Sequence, residues 1–252
     1  AFEEYRVATQ PLYLYDRAVR NDESRQTYDG ELNLAQRFKK QSRTLDARVA
    51  YSTNASVEDN YFQVIHRLDN AAPSTLPDDY QNNFQDDGIK LGTAQVDYAQ
   101  MIGEKNKIET GMKATSRDIQ NGFLSETLDH SSEQFVSDTL LNNTFRYRER
   151  ILGAYGIWGR TLSTRWAMQV GLRAEQAFTR SQVLGSSMDY TNDYFKLFPN
   201  AYINYRPKTG HDLRLSYSRR INRPTTEQLN PFTDYTNPKR RRVGNPFLLP
   251  EL

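Results

Sequence analysis

Trp166-Ala-Met-Gln-Val-Gly-Leu-Arg-Ala-Glu-Gln176 decides how the rest of this chain is read. Trp166, Met168, Val170, Leu172 and Ala174 alternate with Ala167, Gln169, Gly171, Arg173 and Glu175. A period of two puts the two sets on opposite faces of a strand, one apolar and one polar. No helix competes: Ser163–Arg173 has no 3.6-residue stripe, and Gly171 would cost a helix about 1 kcal/mol relative to Ala. The preceding stretch, Phe145–Gly159, is its hairpin partner across Leu162–Arg165. The faces of that partner stay unassigned. Tyr155 and Ile157 fall on one parity, and Leu152, Ala154 and Trp158 on the other.

The same scheme recurs on both sides. Tyr28, Leu32, Leu34 and Phe38 oppose Asp29, Glu31, Asn33 and Arg37, and the turn Lys39–Arg43 leads to Leu45, Ala47, Val49 and Tyr51. Ala94, Val96 and Tyr98 precede Gly103–Lys107, and Ile108, Thr110, Met112 and Ala114 follow it. Ala201, Ile203 and Tyr205 precede Pro207–Asp212, and Leu213, Leu215 and Tyr217 follow it. A further strand lies in Phe2–Tyr15, interrupted by Pro11.

Between these hairpins run long polar stretches, roughly Asn54–Gly88, Asp118–Asn143, Ala177–Phe198 and Arg223–Leu249, which read as loops. Short turns at one end and long loops at the other are the layout of an outer-membrane β-barrel. The expected fold is all-β, an antiparallel transmembrane β-barrel present as a partial barrel of about 8–10 meandering strands, with residues 1–252 forming a segment of one domain. Phe38, Trp158, Trp166 and Tyr205 gather near the short turns, where an aromatic girdle at the membrane boundary belongs; strand aromatics in a soluble sandwich are the alternative.

Composition agrees. Apolar residues make up 37% of the 252, low for a globular protein, yet aromatics reach 12%, which argues against disorder. A membrane barrel reconciles the two, since only every second strand residue needs to be apolar. Mean hydropathy is −0.82, and no apolar run reaches the roughly 18 residues of a transmembrane helix. A net charge of +2 from 33 basic and 31 acidic side chains gives no footprint for nucleic acid. Cysteine is absent, so neither disulfide framework nor thiolate metal site is expected. Ala1–Gln10 has no secretion leader, so the chain reads as an internal piece or a processed product.

Catalytic motifs are lacking. His66, His130 and His211 are scattered, and there is no HExxH, phosphate-cradling loop or GxSxG. No catalytic residue, cofactor or metal is expected. The oxygen-rich run Asp78, Asp79, Asn82, Asn83, Asp86 and Asp87 has calcium-type donors without EF-hand spacing, and reads as a solvated acidic loop. Lys239–Arg242 reads as a solvated basic loop, with anionic headgroups or an acidic substrate as the alternative. Asp97, Arg173, Glu175 and Arg214 sit at inward parity and are candidates to line a polar lumen; a structural salt-bridge network is the alternative.

The last quarter of the chain is the most specific. It contains Phe-Pro-Asn-Ala-Tyr at 198–202, Leu-Arg-Leu-Ser-Tyr-Ser-Arg-Arg-Ile-Asn-Arg-Pro at 213–224, Gln-Leu-Asn-Pro-Phe at 228–232 and Gly-Asn-Pro-Phe-Leu-Leu-Pro-Glu at 244–251. This block closely resembles TonB-dependent outer-membrane receptors of the outer membrane protein β-barrel family; Leu249 stands where a basic residue is commoner. Tyr147–Tyr155 with Gly171–Glu175, and Val96–Tyr98 with Ile108–Lys113, resemble the preceding hairpins, so the likeness spans about Gln26 to Leu252.

The resemblance implies a closed barrel of about 22 strands with a plug in its lumen, and an N-terminal segment that contacts TonB. Nothing in this sequence looks like the plug or that segment, so the chain reads as a central slice of a barrel. The implied function is receptor and transporter in the cell outer membrane, not an enzyme. The implied partners are outer-membrane lipid, the TonB complex through a plug outside this chain, a small-molecule, peptide or glycan substrate, and a surface lipoprotein. Substrate-contact candidates are Arg219, Asn222, Arg223, Asn230, Asp234 and Tyr235; a structural loop is the alternative, since Asn230, Pro224 and Pro231 have turn chemistry. Competing functions are a passive porin or adhesin barrel, a membrane-embedded hydrolase and a soluble β-sandwich binding module.

Overall fold

A computed structural model describes residues 2–3, 13–39, 42–68, 76–139, 141–208, 210–231, 233–237 and 240–252. In chain order its elements are β1 (Phe2–Glu3), β2 (Tyr13–Phe38), β3 (Arg43–Leu68), β4 (Asp79–Ile102), β5 (Asn106–Asp129), β6 (Gln134–Ser137), β7 (Asn143–Thr161), β8 (Trp166–Val183), β9 (Asp189–Tyr205), β10 (Leu213–Ser218), α1 (Thr226–Leu229), β11 (Thr233–Asn237) and β12 (Arg240–Val243). β1 to β5 and β7 to β10 follow one another as neighbours in one open antiparallel sheet, a nine-strand meander. β6 pairs with β5 off that path, and β11 pairs with β12 in a separate ribbon. Pro11 lies outside the described residues.

All four short turns fall where the turn composition puts them: between β2 and β3, β4 and β5, β7 and β8, and β9 and β10. The long polar stretches differ from expectation. Asn54–Gly88 is mostly strand, since β3 runs on to Leu68 and β4 begins at Asp79. Asp118–Asn143 contains the rest of β5 and all of β6, and Ala177–Phe198 contains the end of β8 and the start of β9. The reason is length. At about 3.3 Å per residue, the 24 residues of β5 far exceed the 9–11 that a tilted strand needs to cross the hydrocarbon. Beyond the bilayer neither face meets hydrocarbon, so no lipid-facing side imposes apolar alternation, while the hydrogen-bonded ladder continues.

The chain divides into two compact units, one of residues 1–26, 54–88 and 120–145, the other of 27–53, 89–119 and 146–252. The first is laced by polar side chains. Asn21 Nδ2 donates to Glu58 at 2.6 Å, Arg67 pairs with Asp16 at 3.0 Å, His66 meets Asp79 at 2.9 Å, and Ser125 donates to Asn83 at 2.8 Å. Asp79, Asn83 and Asp87 thus belong to a strand, not to a loop, and they bond to separate neighbours, Asp87 accepting from Asn121. Among the described residues no group of His, Cys, Asp and Glu is placed to hold a metal.

The second unit carries the two-faced pattern. β8 and β9 pair Trp166 with Tyr205, Met168 with Ile203, Val170 with Ala201, Leu172 with Pro199 and Ala174 with Leu197. β10 adds Leu213 beside Tyr205, Leu215 beside Ile203 and Tyr217 beside Ala201. One continuous apolar face results, and Leu172, Leu197, Leu213 and Leu215 on it are exposed. Trp166 and Tyr205 stack at its edge, centroids 4.1 Å apart. An exposed apolar face of this size has a physical account in contact with lipid.

The ambiguous strand β7 is resolved by its neighbours. The Tyr155 hydroxyl donates to Asp97 at 2.6 Å, and a Cβ on Gly171 would lie 3.1 Å from Ile157. Tyr155 and Ile157 therefore share the polar face, and Leu152, exposed, lies on the apolar one with Ala154. Tyr155 lies so close over Gly111 that a Cβ there would be 2.6 Å from its ring, so glycine admits the aromatic where a side chain would exclude it.

Candidate functional site

The polar face of β7 to β9 becomes a site at the height of Glu175. The register brings Glu175 opposite Lys196, Ala177 opposite Tyr194, Thr179 opposite Asn192 and Ser181 opposite Tyr190. Tyr147 and Glu149 of β7 share this environment, and Glu149, Glu175, Ala177 and Ser181 are all buried.

The cover comes from the segment 222–251, through Arg223, Pro224, Leu229, Pro246, Leu248 and Pro250. Asn222 and Glu251 exchange backbone hydrogen bonds of 2.9 Å each way, which close this segment as a loop. Inside it, Thr225 caps α1 in a reciprocal box: its hydroxyl accepts from Gln228 N, and the Gln228 side chain accepts from Thr225 N at 2.9 Å. Gly244 N donates to Asn230 O at 2.8 Å and Asn245 N to Gln228 O at 2.6 Å. A Cβ on Gly244 would lie 2.7 Å from the carbonyl oxygens of Gln228 and Glu227, so only glycine permits this approach. Leu229 is buried, and Phe247 meets the Tyr190 ring edge-on at 4.8 Å.

Arg223 ties the loop to the sheet. Its Nη2 donates to Glu175 Oε2 at 2.6 Å, its Nε donates to the Tyr194 hydroxyl at 2.9 Å and lies 3.8 Å from Glu149 Oε1. Arg117 approaches the other Glu149 oxygen at 3.5 Å, and Arg173 the other Glu175 oxygen at 3.1 Å. The Tyr147 hydroxyl donates to Glu149 at 3.2 Å. Two buried carboxylates thus share three guanidinium groups. Burial works against the charge on Arg223, but Glu175 and Tyr194 outweigh it and hold its pKa above the ordinary arginine value. A cavity of about 20 Å³ remains, lined by Glu149, Tyr194, Arg223, Leu229 and Leu248 among others, about the size of one water.

Of the residues singled out from sequence, Arg173, Glu175 and Arg223 come together here. Asp97 lies elsewhere on the polar face, accepting from Tyr155 and, at 2.6 Å, from Gln95. Arg214 sits over the Tyr202 ring at 5.6 Å. Arg219 is exposed, its backbone N–H donating to Pro199 O at 3.1 Å. Asn222 is exposed and contributes its backbone to the bridge with Glu251, and Asn230 closes α1 through its own N–H. Asp234 and Tyr235 lie in β11; their side chains are outside the described residues, as are those of Arg240–Arg242, while Lys239 is outside altogether.

Sequence reasoning missed Glu149, Arg117, Tyr147 and Tyr194. A signal existed for Glu149: an acid at the parity of Tyr155, once that parity is known to be the polar one. The Glu149 carboxylate that accepts from Tyr147 is itself held by Arg117 and Arg223. The chemistry of the cluster is that of an ion-paired fastening between a loop and a sheet.

The family model described as "Outer membrane protein beta-barrel family" matches residues 36–252. No curated protein matches. Among solved structures, the chain is similar to the unliganded ferric citrate transporter FecA (11% identity, TM-score 0.43), the alcaligin outer membrane receptor FauA of Bordetella pertussis (14%, 0.32) and the ferric yersiniabactin uptake receptor FyuA of Yersinia pestis (10%, 0.27). The matches cover 82%, 82% and 83% of this chain and 36%, 41% and 46% of those chains, so it spans less than half the length of each.

Proposed function

Because the chain belongs to the outer membrane protein β-barrel family and lies in the cell outer membrane, we propose that it forms part of the wall of a TonB-dependent receptor. The receptor takes up a small molecule, peptide or glycan by energised transport. Backbone groups in hydrocarbon must all be paired, so the sheet closes with further strands into one barrel domain. Its lumen holds a plug outside this chain, through which the TonB complex acts.

The observation that carries this reading is the contrast between the two faces of β8 and β9. One is apolar, with Trp166, Val170 and Leu172 exposed; the other carries Arg173, Glu175 and Lys196, with the 222–251 loop fastened to it by Arg223. A wall with lipid on one side and a protein-filled, polar lumen on the other needs that division. Asp97, Arg173, Glu175 and Arg214 then face the lumen. Arg219, Asn222 and Asn230, with Arg223, Asp234 and Tyr235, lie on the segment that meets substrate, and Arg223 also holds that segment in place.

The test is uptake by cells carrying the complete gene product. Accumulation of a bound substrate should stop when TonB is deleted or a protonophore collapses the inner-membrane gradient. Uptake indifferent to both treatments, and linear in substrate concentration, would identify a passive porin instead. Co-purification of a surface lipoprotein with the receptor would add the partner that the resemblance implies.

A further inference from the structure

The four short turns share a feature that neither the family nor the transport proposal uses. The meander places all four at the same end of the sheet. They are laced together in part: Thr161 N donates to Lys105 O at 2.9 Å, and Arg206 N donates to Arg165 O at 2.8 Å. In three places an aromatic at the last strand position is followed outward by a cation. These are Phe38 with Lys39, Trp166 with Arg165, and Tyr205 with Arg206. Lys105 lies in the second turn, Lys107 is the second residue of β5, Arg160 the last but one of β7, and Lys208 lies in the fourth turn.

These cations are poorly paired within the protein. Lys107 meets Glu109 at 2.6 Å and Arg206 meets Asp212 at 3.5 Å. Lys39, Lys105, Arg160, Arg165 and Lys208 are exposed and have no carboxylate partner among the described residues. Some cations farther along the strands are paired: Arg67 has Asp16, Arg146 has Asp118 and Arg180 has Asp189. Lys113, Arg150 and Lys196 have no carboxylate partner among the described residues either. Between the third and fourth turns lies an open pocket of about 570 Å³, lined by Thr164, Arg165, Arg206, Lys208, His211 and Asp212.

We propose that this basic collar binds the phosphate headgroups of anionic phospholipid in the leaflet at the short-turn end. The stacked Trp166–Tyr205 pair marks the level at which hydrocarbon gives way to headgroups. Cations one residue farther out sit at the depth of the phosphates, with aliphatic stems lying along the apolar face. Arg165 offers a fork to two phosphate oxygens, and Lys39, Lys105 and Lys208 offer point charges. A solvated basic loop would need no aromatic at its boundary, yet three strand ends carry one. The inference rests on the outer-membrane location alone and stands whether or not transport is energised.

The complete gene product in mixed-lipid nanodiscs provides the test, with retained lipid read by native mass spectrometry. Wild type should retain phosphatidylglycerol over phosphatidylcholine on the order of fivefold. The preference should fall toward unity in 1 M salt, where the Debye length is about 3 Å. The Lys39→Gln/Lys105→Gln/Arg165→Gln/Lys208→Gln variant should lose it, and two separate double variants, Lys39→Gln/Lys105→Gln and Arg165→Gln/Lys208→Gln, should each lose part. Arg20→Gln/Arg25→Gln, far along β2, should retain it. Equal retention of the two lipids by wild type, or unchanged preference in the double variants, overturns the proposal. So does equal loss in Arg20→Gln/Arg25→Gln, which would mark a bulk charge effect. Displacement by soluble glycerophosphoglycerol as effective as that by phosphatidylglycerol would make the ligand a free phosphodiester and overturn the lipid assignment.

Discussion

Residues Trp166–Ala174 and residues Asn54–Leu68 are both β-strand, yet only the first looks like one in sequence. Along Trp166–Ala174 every second side chain is apolar and faces the exposed apolar surface. Along Asn54–Leu68, Glu58, Asn60, Gln63 and His66 bond to polar side chains on neighbouring segments. The backbone ladder persists in both. Alternation is therefore a signature of an environment with one dry face, and not of β-structure itself.

A charge placed on each region tests that comparison most severely. Leu172→Arg should cost about 2–4 kcal/mol of folding stability, as expected for Arg near the bilayer midplane. Ala55→Arg, at an exposed position in the patternless part of β3, should change stability by less than about 0.5 kcal/mol. Denaturant titration of the protein folded in vesicles measures both. Equal costs would mean that the apolar face does not meet hydrocarbon.

Next in size is the ion-paired fastening. Breaking a buried pair costs about 3–5 kcal/mol, but the Arg223 side chain is 24% exposed and Glu175 keeps Arg173. Arg223→Met should therefore cost about 2 kcal/mol. It should also speed amide exchange at Gly244 and Asn245, whose N–H groups bond inside the loop, while exchange in β10 stays unchanged. Smaller again is the boundary pair: Tyr205→Leu removes the stack on Trp166 and should cost about 1 kcal/mol.

The smallest effect is at Asp129, at the far end of β5 from the short turns. Hydrogen bonds from Ser132 and Ser131 pull its pKa down to about 2. A depressed carboxylate contributes its stabilisation fully above its unfolded value, near 3.9, and loses it as pH falls through about 2. The amide shifts of Ser131 and Ser132 should therefore hold steady down to pH 4 and move only below pH 3. Asp129→Asn should remove that step.

The sequence located the hairpins and all four short turns because those residues face lipid on one side and must reverse sharply at its edge. It failed where the strands leave the bilayer, since Asn54–Leu68, Asp79–Gly88 and Asp118–Asp129 have loop composition but sheet hydrogen bonding. It also left β7 undecided. Two apolar sets of similar size sit on opposite parities there, and only Tyr155 reaching Asp97 across Gly111 selects between them. Within the candidate site, Arg173 and Glu175 were legible as charges at inward strand parity, and Arg223 as a substrate-contact candidate in a loop. That they meet was not, because Arg223 and Glu175 are far apart along the chain and nothing local encodes their distance.

The sequence by itself determined the fold class, the membrane-facing parity of most strands and the turn positions, all of which follow from period-two patterning and short-range turn chemistry. Only the tertiary structure decided the length of the strands beyond the bilayer, the orientation of β7 and the partnership of Arg223 with Glu149 and Glu175. Each of these depends on a neighbouring strand or loop supplying a hydrogen-bonding or charged group, and such a partner is fixed by register across the sheet rather than by any residue nearby in the chain.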